Sequence, residues 1–191
     1  MYRFFIIISL ILAGCGQTHY KNPHIIIETN FGEIEVELYP DKAPKTVAAF
    51  LSYVDSGYFT KGAFYRVVKN EDMSGRNYGF IQGGIWQTND KQHPVLPGIE
   101  HESTKITGLT HKNGTISLAR TGPGTANTEF FICVGDQPQF DQGNGEPADG
   151  QGYAAFGIVV TGMDIVRKIQ EQPSRGESFI ERIVIDKIKK L

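Results

Sequence analysis

The sequence predicts a mostly β domain, a closed or nearly closed β-structure whose open ends are covered by two helices. Three observations predict it: short apolar runs with β character recur along the chain, stretches rich in Gly, Asn and Pro separate them, and only two segments carry helical spacing. At 191 residues, 40% of them hydrophobic, the chain is long enough to bury one ordinary core and too apolar for a disordered polymer. Closure is favoured because it removes the unpaired edges an open sheet leaves exposed.

Residues 1–14 read as a separate object. Arg3 supplies one positive charge, Phe4 to Ala13 is almost unbroken apolar sequence, and Leu12-Ala13-Gly14-Cys15 brings small residues up to a cysteine. The run is about ten residues, against roughly 20 for a helix that crosses the hydrocarbon core, so a cleaved signal peptide is the expectation. The tetrad resembles a bacterial lipobox, which implies cleavage before Cys15 and a lipid on that residue. Residues 15–23 are then a polar, lipidated tether and 24–191 the folded domain. With Cys15 lipidated, Cys133 has no partner for a disulfide and, inside Phe130-Phe131-Ile132-Cys133-Val134, reads as a small core residue.

Ile25-Ile26-Ile27, a turn at Asn30-Phe31-Gly32 and the alternating Glu33-Ile34-Glu35-Val36-Glu37-Leu38 predict a β-hairpin with a half-buried second strand. Pro44 opens a stretch where Val47, Phe50, Leu51 and Val54 recur at helical spacing and Ser56-Gly57 closes it, the Pro-first, Gly-last order of a helix. Further β runs fall at 63–68, 80–82, 115–119, 130–134 and 153–160. A second helix is predicted over Met163–Gln170 with Ile165, Val166 and Ile169 on one face, and Ile183-Val184-Ile185 closes the sheet. Lys69–Tyr78 and Gln142–Gly152 read as surface loops; the second holds Asp141, Asn144, Glu146 and Asp149 but lacks the spacing of a calcium loop.

Charge and motifs exclude several functions. Nineteen Lys and Arg against 21 Asp and Glu give a net charge of −2 with no basic stripe, so nucleic acid is not an expected partner. The histidines show no zinc-binding spacing, and neither a phosphate-cradling nor a dinucleotide glycine motif occurs. No metal, nucleotide or redox cofactor is expected.

Five blocks remain: Phe64-Tyr65-Arg66-Val67-Val68, Gln82-Gly83-Gly84, Ser117 through Thr125, Phe130-Phe131-Ile132, and Gly152-Tyr153-Ala154-Ala155-Phe156-Gly157. In this order they resemble the cyclophilin family of peptidyl-prolyl isomerases over roughly residues 25–190. The resemblance implies an eight-stranded antiparallel barrel capped by two α-helices, and activity on X-Pro bonds of unfolded or partly folded polypeptides. By motif, Arg66 matches the family's catalytic arginine and Gln82 the glutamine that orders it. Phe131 matches the floor of the proline pocket, with Phe80 in place of the usual Met and Phe140 in place of the usual Leu. Ala119 and Thr121 lie along the substrate groove, the backbone of Arg120 binds the substrate main chain, and Tyr153, where many members have His, edges the pocket; Phe156 stays in the core.

The departures matter as well. Glu129 stands where the family has Gln and is expected to pair with Arg66 or Arg120. Gln139 takes the place of a Trp found in cyclosporin-sensitive members, and Gly79 that of a common pocket Phe. The reading is a monomeric isomerase of the bacterial cell envelope, anchored through Cys15 and facing outside the cytoplasm. A proline-binding chaperone or scaffold with little turnover, and a structural lipoprotein that only reuses the barrel, are the alternatives.

Overall fold

The structure is a computed structural model describing residues 20–86 and 95–191. The segment expected to be a signal peptide, Cys15 and the part of the expected tether before Tyr20 lie outside the described residues, as do His19 and His93.

Among the described residues nine strands are formed: β1 (His24–Thr29), β2 (Gly32–Leu38), β3 (Gly62–Glu71), β4 (Asn77–Gly84), β5 (Thr115–Leu118), β6 (Phe130–Val134), β7 (Ala154–Thr161), the two-residue β8 (Ser174–Arg175) and β9 (Ser178–Lys190). Their order is β1-β2-β7-β5-β6-β4-β3-β9, and β9 pairs back onto β1, so eight antiparallel strands close on themselves with β8 as a short hairpin arm on β9. The seam is in register at Ile27 opposite Ile188, while Ile27 faces Ile34 on its other side.

Alternation fills the barrel. Ile25 and Ile27 of β1, Ile34, Val36 and Leu38 of β2, Phe130, Ile132 and Val134 of β6, and Ile183, Ile185 and Ile188 of β9 share one buried cluster. Helix α1 (Pro44–Asp55) adds Val47, Phe50 and Val54, and helix α3 (Met163–Gln170) adds Val166 and Ile169. Phe50 packs against Phe59, Phe130 and Phe156 with ring centroids 5.0–5.7 Å apart, and each such buried ring stabilises the fold by about 1.5–3 kcal/mol. Helix α1 has no capping side chain of its own. Instead Glu102 reaches in from the distant chain and accepts the Lys45 and Thr46 N–H groups at 3.2 and 2.8 Å, placing negative charge at the positive helix end.

Three features depart from the sequence reading. A third, one-turn helix α2 (Thr104–Thr107) and a 3-10 turn at Pro138–Phe140 are present, both too short to leave a periodic signal. The expected loop over Lys69–Tyr78 is mostly hairpin: β3 and β4 pair out to Glu71 opposite Asn77, leaving only residues 72–76 as the turn. Asp72 knits that turn by accepting the Ser74 hydroxyl and the Arg76 and Ser74 N–H groups, and these bonds, the hydroxyl's first, hold its carboxyl well below the usual range.

Candidate active site

The alternation that fills the barrel also builds a surface on its outside. On β4, Ile81 points in while Phe80 and Gln82 point out; on β6, Phe130 and Ile132 point in while Phe131 and Cys133 point out. Phe80, Phe131, Cys133 and Phe140 form a second buried cluster, with Val68, Ala119 and Tyr153 packed against it. Rings of Phe80, Phe131, Phe140 and Tyr153 meet edge-on or tilted with centroids 5.2–5.8 Å apart. Cys133 lies wholly inside this cluster, where burial pushes its thiol well up and leaves it un-ionised.

Strand β3 breaks its alternation where the site needs it. Phe64 pairs with Gly83 and Arg66 with Gln82, so Tyr65 is an extra residue in the ladder, a β-bulge. Phe64 and Val67 therefore both face the core, and Tyr65 and Arg66 both face the cleft.

The cleft has a volume of about 520 Å³. Its walls include Arg66, Gln82, Phe80, Phe131, Phe140 and Tyr153, and also Ala119, Arg120, Thr121 and Glu129. Gln139 is not among them: it is half-buried in the 3-10 turn, and its amide donates to Gln137 at 2.7 Å.

Arg66 stands at the cleft with its guanidinium carbon 5.0 Å from the Phe80 ring centroid. Nη1 donates to Gln82 Oε1 at 2.9 Å, while Nε and Nη2 donate to Glu177 Oε2 at 2.9 and 2.6 Å. Glu177 is thus the carboxylate paired with this cation. Glu129, expected to pair with Arg66 or Arg120, does neither. Its oxygens accept from the Tyr65 hydroxyl at 2.6 Å, the Ile85 and Trp86 N–H groups at 2.9 and 3.0 Å, and the Thr128 hydroxyl at 3.1 Å, because β4 ends by aiming those amides at it.

Arg120 is held in a different way. Its side chain is only 2% exposed, donates to both oxygens of Asp149 and to the Gly152 carbonyl, and lies 5.4 Å from the Tyr153 ring centroid. This clamp secures the acidic loop against the cleft, and Arg120 holds the Asp149 carboxyl down to about 2. Behind Phe131, at a centroid distance of 5.9 Å, His111 is buried between Asp141 at 2.7 Å and the Ser117 hydroxyl at 3.0 Å; burial lowers its pKa and favours the neutral ring. Among the described residues no three His, Cys, Asp or Glu side chains gather as a metal site, and Asp141 and Asp149 are engaged by His111 and Arg120.

Sequence reasoning missed Tyr65, Trp86, Thr125, Asn127 and Glu146 on the cleft wall, and Glu177 beside it. Tyr65 was hidden by the bulge. Glu177, 111 residues from Arg66 and following a glycine turn, carries no local signal. Trp86, the chain's one tryptophan, is 70% exposed, and its rarity was the available hint.

Comparison with known proteins agrees with this geometry. The model of the cyclophilin type peptidyl-prolyl cis-trans isomerase/CLD family matches residues 24–190. A peptidyl-prolyl cis-trans isomerase of Acinetobacter baylyi is 38% identical over 170 residues, spanning 87% of this chain and 83% of that protein. Peptidyl-prolyl cis-trans isomerase B of Escherichia coli is 37% identical over 147 residues, 76% of this chain and 83% of that one. In fold, the chain is similar to a cyclophilin type peptidyl-prolyl cis-trans isomerase of Cryptosporidium parvum, with a TM-score of 0.70 and 24% identity over 88% of this chain and 97% of the other. A cationic side chain fixed beside an aromatic hollow on a closed barrel, together with these matches, leads to one conclusion: the chain belongs to the cyclophilin-type peptidyl-prolyl cis-trans isomerases, enzymes that act on proline-containing polypeptides.

Proposed function

We propose that this isomerase works outside the cytoplasm as a lipid-anchored monomer, accelerating X-Pro rotation in unfolded or partly folded envelope polypeptides, with Arg66 as its catalytic residue. The observation that carries the catalytic part is the Arg66 guanidinium, held on two sides at the Phe80, Phe131 and Phe140 hollow. Rotation about the prolyl amide meets a barrier of about 18–20 kcal/mol because the nitrogen lone pair is shared with the carbonyl, and unaided it takes roughly 10–100 s. In the twisted state that lone pair is localised on nitrogen. A guanidinium N–H aimed at it binds the twisted amide better than the planar one, which is differential stabilisation of the transition state. Three of the five guanidinium N–H bonds go to Gln82 and Glu177, which leaves two to meet a substrate. The aromatic walls suit the pyrrolidine ring, holding it while the acyl side turns.

Replacing Arg66→Ala in the folded domain is expected to lower kcat/KM on an X-Pro peptide by about 100-fold, the scale of losing one preorganised donor; an unchanged rate overturns the assignment. The anchor rests on Leu12-Ala13-Gly14-Cys15 behind its apolar run. Cells given labelled palmitate are expected to label the full chain and recover it with membranes, and Cys15→Ser is expected to abolish both; label retained on Cys15→Ser removes the anchor.

A further inference from the structure

Beyond Arg66 and Gln82 the cleft contains a directed chain of hydrogen bonds. Arg66 Nη1 donates to Gln82 Oε1 at 2.9 Å, Gln82 Nε2 donates to the Tyr65 hydroxyl at 2.9 Å, and that hydroxyl donates to Glu129 Oε2 at 2.6 Å. A glutamine amide has nearly the same shape in its two orientations, so its partners decide which end faces which neighbour. A tyrosine hydroxyl has a single proton. With both Glu129 oxygens receiving donors, the Tyr65 proton goes to the carboxylate, at the short distance of a charge-assisted bond. The tyrosine oxygen is then an acceptor toward Gln82, whose NH2 group turns to it and whose carbonyl is left for Arg66.

We infer that Glu129 and Tyr65 are positioning residues of the isomerase: an acceptor-only carboxylate at one end of the chain fixes the Gln82 amide and so aims the Arg66 guanidinium at the cleft. The inference rests on the reading of Arg66 as the catalytic group. Two independent features support it. Gly84 has φ +152°, and a Cβ there would collide with the Glu129 carboxylate, so the second glycine of Gln82-Gly83-Gly84 keeps the carboxylate's seat open. Burial and the neighbouring Glu129 also raise the Tyr65 pKa well above the usual phenol value, so the hydroxyl keeps its proton throughout the working pH range.

The chain has a definite polarity, and reversing it has a definite consequence. A glutamine at 129 places an NH2 group against Tyr65, whose proton then turns to Gln82. The Gln82 amide flips, and its NH2 group faces the donors of Arg66. Without the tyrosine hydroxyl that message has no carrier.

The test is a double-mutant cycle on an X-Pro peptide, with Arg66→Ala assayed alongside. Tyr65→Phe is expected to lower kcat about three- to tenfold with KM little changed, the scale of one lost hydrogen bond. Glu129→Gln is expected to lower kcat at least as far in the tyrosine background and to add nothing in the phenylalanine background. A purely structural Glu129, acting through the Ile85 and Trp86 N–H groups, gives the same loss in both backgrounds, and that result, or an unchanged kcat in Tyr65→Phe, overturns the inference. Should Glu129→Gln fail to fold, Tyr65→Phe decides alone: lowered kcat with a shifted Gln82 side-chain amide resonance supports the chain, and unchanged kcat refutes it. Full activity in Arg66→Ala instead removes the catalytic reading beneath it.

Discussion

Arg66 has to be both charged and still, and two neighbours share that task. Gln82 holds one edge of the guanidinium and Glu177 the other, so the plane is fixed without filling the fork. The Glu177 pair is solvent-exposed, so it contributes little to stability. Its effect falls on orientation. Glu177→Gln is expected to lower kcat/KM about two- to fivefold and to leave the thermal midpoint nearly unchanged, measured by peptide isomerisation and by thermal unfolding of the same sample; a full rate would show that Gln82 alone suffices. The carboxylate that was legible in the sequence, Glu129, faces Tyr65 and the end of β4, and the one that meets Arg66 was silent. Motif blocks identify which residue types recur in order. They do not say which of 21 acids folds back onto a given cation.

Elements with one wet and one dry face were readable. The alternation in Glu33–Leu38 and the spacing of Val166 and Ile169 gave β2 and α3 nearly to the residue, because burial writes its period into the chain. The outer part of the β3–β4 hairpin was not readable, since Lys69, Asn70, Glu71 and Asn77 are all exposed and no core imposes a period. The bulge was hidden for a related reason. Phe64-Tyr65-Arg66-Val67 has two outward residues in succession, which looks like a lapse in alternation until the ladder pairs Phe64 with Gly83 and Arg66 with Gln82 and leaves Tyr65 as the extra residue between them. Helix α2 has a single turn, below the length at which helical spacing repeats. Gly79 belongs here too: its φ of +138° and the Val68 carbonyl lying where a Cβ would go leave no room for the Phe common at this place in the family.

As a whole the molecule depends on its seam, where the two ends of the domain meet. Ile27 is fully buried and Ile188 opposite it is 6% exposed, so the last strand completes the core. Ile188→Ala is expected to destabilise the domain by about 2–5 kcal/mol, read as a lower urea midpoint. Ile180→Ala, on the outside of the same strand, is expected to change it by less than about 0.5 kcal/mol. Equal midpoints for the two variants would mean that the seam does not close the barrel.

The aromatic groove and the interior are two clusters with no residue in common, divided by the sheet itself. Phenylalanines can therefore replace the family's usual Met and Leu on the outer side while the inner side keeps its packing. Drift in which peptides are gripped is thereby uncoupled from the capacity to fold, and lineages can retune their clientele by small steps without first having to rebuild the scaffold.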